Sequence, residues 1–174
     1  MTSISFGIEP YGDIPRLVSL GEDRRLVEFD LQNSSVVGGV KVKAVHRVEQ
    51  SAIPTSMLWT TLPDVIDDSA GNGGSDRSPF DTILVCNDQY KVKRFVSPDC
   101  NSCVCLKTLL GPTFGGPVSK MVPIPAQYSG YPNQVPSPKY MAYSTREKVI
   151  GLIKLPLDGN PNRTMGLIAH CGSV

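Results

Sequence analysis

The clearest alternation of apolar and polar residues in this chain runs from Val40 to Glu49. One side of an extended backbone would carry Val40, Val42, Ala44, His46 and Val48, and the other side would carry Lys41, Lys43, Val45, Arg47 and Glu49. Because successive side chains of a β-strand point to opposite faces, this period of two predicts a half-buried antiparallel strand. The outer face of that strand would present a basic row.

Paired β-rich runs separated by turn residues predict two hairpins. They are residues 16–20 with 25–31, and residues 82–86 with 89–96. Asn87 and Asp88 form the turn of the second pair, which we expect to organise the fold. Shorter apolar or alternating runs predict one strand at residues 4–8 and a closing strand at residues 164–171.

Three stretches have features of short helices. Residues 54–68 space their apolar side chains as a helix does, although Pro63 would divide them into two short turns. Residues 102–110 have the length of two helical turns. Residues 144–147 have the form of a capping box, and we expect a helical turn there that leads into a strand.

Glycine and proline are frequent in this chain. The 174 residues include 16 glycines and 15 prolines, which interrupt the apolar runs and favour β-structure over long helices. We therefore predict a single mainly β domain over residues 1–174, of α+β type with few short helices, built as a compact antiparallel sheet or sandwich. Residues 69–78 would form a flexible loop rich in Gly and Asp, and residues 111–139 a long extended arm rich in Pro and Gly.

The formal net charge is only +1, so any basic surface must be local. Five cations on two predicted strands are the candidates for a polyanion-binding surface: Lys41, Lys43, Arg47, Lys91 and Lys93. If the two strands are neighbours, these side chains would attract nucleic-acid phosphates or an anionic membrane. The alternative is that the charges protect sheet edges from aggregation.

Three of the five cysteines lie close together, at Cys100, Cys103 and Cys105. The spacing of Cys100 and Cys103 fits half of a zinc site, but the remaining cysteines and histidines are scattered along the chain. We therefore predict partly buried thiols, with no bound metal and no other cofactor. The absence of nucleophile, phosphate-loop and dinucleotide motifs predicts that the chain is not an enzyme and has no small-molecule substrate.

The extended arm is predicted to mediate self-association. Proline restricts the unfolded chain, so that less conformational entropy is lost when such a segment docks on a neighbouring molecule. The residues expected to make this contact are Pro123, Pro125, Tyr128, Tyr131 and Pro132.

In its size, β-rich content, local basic rows and proline-rich arm, the chain resembles the small matrix proteins of plant rhabdoviruses. The resemblance implies a non-enzymatic viral structural protein that self-associates and bridges nucleocapsid and membrane. Its implied partners are other copies of itself, the viral nucleocapsid or RNA, and an anionic membrane surface. Its implied location is the virion and the host cytoplasm, peripheral at the membrane, and no signal peptide for secretion is visible.

Two alternative functions stay open at this point. One is a zinc- or nucleic-acid-binding accessory protein, such as a viral silencing suppressor. The other is a coat or accessory capsid protein, which would share the self-assembly.

Overall fold

Twelve β-strands and one short 3-10 helix form the regular structure of the described residues in this computed structural model. The structure describes residues 2–8, 15–60, 82–96, 103–124 and 139–168. The strands are β1 (Ser3–Ile8), β2 (Pro15–Leu20), β3 (Arg25–Ser35), β4 (Gly39–Arg47), β5 (Pro54–Thr60), β6 (Thr82–Asn87), β7 (Lys91–Val96), β8 (Val104–Leu110), β9 (Val118–Pro123), β10 (Tyr140–Thr145), β11 (Val149–Lys154) and β12 (Thr164–Ile168). The 3-10 helix is Pro161–Arg163. Nowhere in these ranges is there a helix long and apolar enough to cross a membrane.

The strands form three antiparallel sheets of four consecutive strands each. Sheet 1 contains β1–β4, sheet 2 contains β5–β8 and sheet 3 contains β9–β12, and in each sheet the strands lie side by side in chain order. No α-helix occurs among the described residues. The predicted mainly β, antiparallel fold is therefore confirmed, with its strands divided among three sheets.

Two apolar cores hold the three sheets together. The core between sheets 1 and 2 contains Val18, Leu20, Leu26, Val48, Met57, Trp59, Ile83, Val85 and Phe95. The core between sheets 2 and 3 contains Leu84, Cys86, Val92, Val118, Met121, Met141, Tyr143, Val149, Ile153, Leu155 and Leu157. Strand β6 supplies both cores because its side chains alternate, Ile83 and Val85 to the first and Leu84 and Cys86 to the second. Sheet 2 is consequently covered on both of its faces.

The first strand of each sheet lies closest to the neighbouring sheets. Strand β5 contacts β1 on one side and β9 on the other. By contrast, β4 and β8, the fourth strands of sheets 1 and 2, are mostly exposed. The sheets therefore diverge outward from their first strands, which is how successive four-stranded blades are arranged around the channel of a β-propeller.

Both predicted hairpins are confirmed, as β2–β3 and β6–β7. In the second hairpin, Oδ1 of Asn87 accepts hydrogen bonds from the backbone amides of Gln89 and Lys91, each at 3.0 Å. Tyr90 completes the turn with a positive φ of 58°. The strand predicted at residues 4–8 is β1, and the described part of the closing strand is β12.

The helical predictions are wrong over the described residues. Residues 54–60 form β5, residues 104–110 form β8, and residues 146–148 form the turn between β10 and β11. Strand β5 is buried on both faces, so it requires apolar residues at successive positions and lacks the period of two. Periodicity alone does not distinguish such a short apolar run from a buried helical segment.

Part of the predicted arm is an ordinary sheet strand. Strand β9 lies inside residues 111–139 and pairs with β10 along the first edge of sheet 3. An edge position at the end of a strand tolerates Pro123, because no neighbouring strand needs its missing amide hydrogen. The remaining arm residues 125–138 and the predicted loop 69–78 lie outside the described residues.

A β-bulge breaks the alternation predicted for β4. Val42 lies opposite Phe29, whereas Ala44 lies opposite Glu28, so one extra residue of β4, Lys43, is accommodated between them. Val42 therefore faces away from sheet 2, and Ala44 faces toward it. The single apolar face predicted for residues 40–48 is wrong for this reason.

Candidate protein-binding surface

The hairpin of β3 and β4 extends beyond the rest of sheet 1. Strand β2 pairs with β3 only as far as Phe29, so the remainder of the hairpin is held by its own two strands. We call residues 33–39 the hairpin tip. Within it, Val36 and Val37 are 104% and 100% exposed. Burial of one valine side chain stabilises a protein by roughly 1.5–3 kcal/mol, so this pair leaves unused apolar surface that a partner could cover.

Local hydrogen bonds fix the shape of the hairpin tip. The side chain of Asp30 accepts hydrogen bonds from the backbone amide of Asn33 at 3.1 Å and from its Nδ2 at 2.7 Å. The hydroxyl of Ser34 donates to the carbonyl of Asp30 and accepts from the amide of Lys41 at 2.9 Å. Gly39 adopts a φ of 76°, which favours glycine. The two valines are therefore presented on a pre-organised turn, which lowers the entropic cost of binding.

The same contacts perturb one titratable group. The hydrogen bonds from Asn33 hold the pKa of Asp30 below its ordinary value, because they stabilise the carboxylate form. Asp30 therefore stays charged, and its contacts to Asn33 stay in place, at neutral pH.

The five cations predicted to bind polyanions do not form one uniform row. Nζ of Lys43 lies 3.7 Å from Oε1 of Glu28, and Nζ of Lys93 lies 2.7 Å from Oε2 of Glu49. Arg47 donates to the backbone carbonyls of Glu49 and Gln50, each at 3.1 Å. Lys41 and Lys91 are exposed, on sheets 1 and 2 respectively. Three of the five cations thus contact acceptors within the protein, and polyanion binding stays a prediction.

Glu28 is the centre of a buried ionic cluster between sheets 1 and 2. Arg16 donates to both of its carboxylate oxygens, from Nε at 3.0 Å and from Nη2 at 2.7 Å. Both side chains are at most 3% exposed. The guanidinium of Arg16 also lies 5.1 Å from the ring centre of Trp59. This stacking places a cation over the face of an aromatic ring while the carboxylate neutralises its charge.

A second buried carboxylate, Glu49, joins the same two sheets. Besides Lys93, it accepts a hydrogen bond from Nδ2 of Asn87 at 2.8 Å. Asn87 thus links the predicted hairpin turn to the segment that follows β4. The sequence pattern did not indicate that either carboxylate binds a cation. The Arg16–Glu28 pair depends on the register of the β2–β3 hairpin, and the Glu49–Lys93 pair joins residues 44 positions apart.

The described cysteines do not assemble a metal site. Among residues 2–8, 15–60, 82–96, 103–124 and 139–168, no group of three or more His, Cys, Asp or Glu side chains is placed to hold a metal ion. Burial raises the pKa of Cys103 to about 11, with a smaller contribution from neighbouring Cys105. Cys105 is exposed, and Cys100 lies outside the described residues.

The predicted self-association residues fall mostly outside the described part of the chain. Only Pro123 is described, at the end of β9. Pro125, Tyr128, Tyr131 and Pro132 are not, so their role stays a prediction. Pro123 lines a cavity of about 510 Å³ between β1, β5 and β9, together with Ser3, Met57 and Lys120.

The chain has sequence relatives among ciliary proteins. It is 35% identical over 167 residues to cilia- and flagella-associated protein 251 of Tetrahymena thermophila, an alignment that covers 89% of this chain and 15% of that relative. The proteins of the same name from Pongo abelii and Mus musculus are 34% and 33% identical over 172 residues, which covers 99% of this chain. These alignments cover 13% and 12% of the two relatives, so the chain spans less than a sixth of the length of each. No protein-family model matches it.

Solved structures resemble this chain in fold alone. The crystal structure of the Chaetomium thermophilum polycomb repressive complex 2 contains a chain that matches 88% of this one with a TM-score of 0.55 and 13% identity. A humanized mutant of that complex bound to the inhibitor GSK126 matches 87% with a TM-score of 0.53 and 14% identity. In these structures the match covers 26% and 27% of the other chain.

The sequence relatives overturn the viral interpretation. Relatives in three eukaryotes that align with 89–99% of the chain are named cilia- and flagella-associated proteins. The resemblance to plant rhabdovirus matrix proteins is therefore wrong, and so are the matrix, silencing-suppressor and capsid functions that depended on it. The predicted virion location is wrong for the same reason. The resemblance failed because size, β-content and proline frequency are shared by many unrelated folds.

Proposed function

We propose that this chain is a non-enzymatic protein-binding module of a cilium- or flagellum-associated protein, and that it binds its partner through the hairpin tip. The observation that carries the ciliary assignment is the identity of 33–35% with relatives of that name over nearly the whole chain. The location that follows is the cilium or flagellum of a eukaryotic cell.

The hairpin tip supports the proposed mode of binding. It combines two fully exposed valines with a turn held by the contacts of Asp30 and Ser34. The partner that fits is a protein with an apolar pocket, because the valines have no charge or hydrogen-bonding group to offer. Burying them on complex formation would recover apolar surface at little cost in ordering.

In this proposal the two buried carboxylates have a structural role. Glu28 and Glu49, the two buried carboxylates described above, are each bound by a cation and are 2% and 3% exposed. A carboxylate that is buried and neutralised in this way is out of reach of a substrate. Its contribution is to hold sheets 1 and 2 together.

The ciliary assignment is tested by expressing the chain with a fluorescent tag in ciliated cells. The expected result is that the tagged chain remains with cilia or flagella after detergent extraction, whereas the tag alone is washed out. Equal distribution of the chain and the tag would overturn the ciliary assignment.

The hairpin tip is tested separately with the variant Val36→Ser/Val37→Ser. We expect this variant to remain folded, since both side chains are fully exposed, and to be lost from the extracted cilia. Val104→Ser is the matched control, because it makes the same change at an exposed position of β8, on another sheet. If the tip variant is retained like the wild type while the ciliary assignment holds, binding does not use the hairpin tip.

A further inference from the structure

Among the described residues, strand β4 pairs with β3 on one side and leaves the other edge of sheet 1 open. Its nine residues make it the longest of the three fourth strands, since β8 has seven and β12 has five. An edge strand presents a row of backbone amides and carbonyls to which another strand can bond. We call this row the β4 edge.

The packing of one sheet on another leaves such an edge uncovered. Sheet 2 is covered on both faces, yet most residues of its own fourth strand, β8, are exposed. The sheets contact one another through their faces and their first strands, whereas the fourth strands lie on the outside, where the sheets diverge. A sheet that packed in the same manner on the other face of sheet 1 would therefore leave the β4 edge open.

The charge of β4 indicates which kind of strand would bond to it. The strand contains Lys41, Lys43 and Arg47 and no acidic residue. By comparison, β8 contains one cation and β12 contains none. Side chains directly opposite each other on paired strands interact, so opposite charges favour pairing and like charges oppose it. Two copies of the β4 edge therefore repel each other, and an acidic strand fits.

Hydrogen bonding between β3 and β4 identifies the backbone groups at the β4 edge. The amide of Val48 donates to the carbonyl of Arg24 at 3.0 Å, so Val48 directs its backbone groups toward β3. Backbone groups of an antiparallel pair alternate in direction along each strand, and the register is regular from Arg47 to Val45. Val45 therefore directs its amide and carbonyl outward, to the β4 edge.

We propose that the β4 edge binds an extended acidic segment of a partner protein as an added strand of sheet 1. This inference rests on the proposed function, because β4 begins at Gly39 in the hairpin tip, so a bound segment leads directly to Val36 and Val37. Backbone hydrogen bonds give such an added strand its affinity. Its carboxylates lie beside Lys41 and Arg47, both exposed, and a neutral or basic strand lacks this attraction.

Hydrogen exchange in the presence of synthetic peptides tests this inference. The probe is a short peptide of alternating Glu and Val, which carries carboxylates and favours the extended conformation. It is expected to slow the exchange of the β4 amides, measured by mass spectrometry, and to leave β8 and β12 unchanged. A peptide of alternating Glu and Pro has the same charge but lacks every second amide hydrogen, so it is expected to give no protection. Added salt is expected to weaken the effect of the first peptide.

Two variants separate backbone pairing from charge. Val45→Pro removes an outward amide hydrogen that no described strand uses, and an edge strand tolerates proline at such a position. Lys41→Glu reverses one charge of the edge and leaves its backbone intact. Each variant is expected to lose the protection that the Glu–Val peptide gives to β4. Circular dichroism establishes that the variants are folded, and Lys41→Glu decides the test if Val45→Pro is not.

Matched controls make the same two changes away from the β4 edge. The amide of Gly111 donates to the carbonyl of Tyr90 at 2.8 Å, so by the same alternation Thr108 directs its amide to the open edge of β8. Thr108→Pro is therefore the control for the proline variant. Lys120→Glu, at an exposed lysine of sheet 3, is the control for the charge reversal. Both controls are expected to keep the protection of β4.

Three results would overturn the inference. They are unchanged exchange of β4 with the Glu–Val peptide, equal protection by the Glu–Pro peptide, and protection of β8 or β12 in place of β4. Retention in extracted cilia separates this inference from the proposed function. If Val36→Ser/Val37→Ser is lost from the cilia while Lys41→Glu and Val45→Pro are retained, the hairpin tip binds the partner and the β4 edge does not. If the wild type itself is not retained, the proposed function fails, and the peptide experiment still decides whether the β4 edge accepts an acidic strand.

Discussion

Sheet 2 packs against sheet 1 on one face and against sheet 3 on the other, and the side chains buried at these two interfaces differ in polarity. The interface with sheet 1 contains the Arg16–Glu28 pair, the Glu49–Lys93 pair and the ring of Trp59. The interface with sheet 3 is built mainly from aliphatic, methionine and aromatic side chains, and Sγ of Cys86 there lies 3.5 Å from Sδ of Met121. We call them the ionic interface and the apolar interface.

The two interfaces differ in where ion pairs are buried. The ionic interface binds Arg16, Lys43 and Lys93 to carboxylates. A buried ion pair adds little net stability, because desolvation offsets much of the attraction. It does make the interface intolerant of losing one partner, whereas the apolar interface depends on filled volume.

The largest effect is expected for Glu28→Gln, which removes a buried carboxylate that accepts two hydrogen bonds from the guanidinium of Arg16. Loss of one member of a buried pair costs about 3–5 kcal/mol, measured as the free energy of unfolding in urea. The double variant Arg16→Met/Glu28→Leu is expected to recover most of that loss.

The exposed pair Asp23–Arg25, whose atoms lie 3.9 Å apart, is the control for Glu28. Asp23→Asn should change the free energy of unfolding by at most about 1 kcal/mol. A similarly small effect of Glu28→Gln would mean that the ionic interface is not sensitive to charge.

A comparable loss through a different mechanism is expected for Leu84→Ala at the apolar interface. Leu84 is 0% exposed, and its truncation leaves a cavity that costs about 2–5 kcal/mol. Unlike the Glu28 variant, this one should show no dependence on salt. Leu106→Ala, at a position of β8 that is 51% exposed, should stay within about 0.5 kcal/mol of the wild type. Equal losses at both leucines would contradict the placement of Leu84 between the sheets.

Two glycines allow close approach of an aromatic ring, one at each interface. A methyl group at Gly7 would overlap the ring of Trp59, and one at Gly151 would overlap the ring and hydroxyl of Tyr143. Alanine at either position is expected to destabilise the protein by about 1–3 kcal/mol. Since Trp59 is the only tryptophan, Gly7→Ala should shift the emission spectrum of the folded protein and Gly151→Ala should not. A spectral shift in both variants would mean that the two interfaces are coupled.

The smallest effect concerns the reactivity of thiols at the two interfaces. Burial raises the pKa of Cys86 to about 12 and that of Cys103 to about 11, from an ordinary value of 9.0. A raised pKa keeps the thiol protonated, so at pH 8 the reactive thiolate of Cys103 should be about 100-fold scarcer than for an ordinary thiol. Maleimide labelling followed by peptide mass spectrometry should detect Cys105 first, Cys103 later and Cys86 last.

The same pKa values predict how stability depends on pH. Below about pH 7 both thiols are protonated in the folded and the unfolded chain, and they contribute no pH dependence. As the pH rises above about 9, the unfolded chain releases these protons first, so the stability of the folded protein should fall. Unfolding midpoints that stay constant from pH 8 to pH 11 would contradict this burial.

Local patterns were enough to predict the two hairpins and the β class. The runs on either side of Asn87 and Asp88 identify β6 and β7, because turn chemistry and β-propensity act within a few residues. Strand β5 could not be recognised from its pattern, because its burial on both faces depends on sheets 1 and 3. Gly38 and Gly39 indicate a turn at the hairpin tip. The exposure of Val36 and Val37 depends instead on where the pairing of β2 with β3 ends.

The amino-acid sequence by itself determined that this chain forms antiparallel strands with turns at defined places, since those preferences are local. Tertiary structure decided how the strands are divided into three sheets and which cations meet carboxylates. Glu49 and Lys93 are 44 residues apart along the chain, and only the packing of sheet 2 beside sheet 1 brings them to 2.7 Å. Two lysines of the predicted basic rows, Lys43 and Lys93, thereby lie beside carboxylates at this interface, because a charge pairs with whatever the fold places next to it.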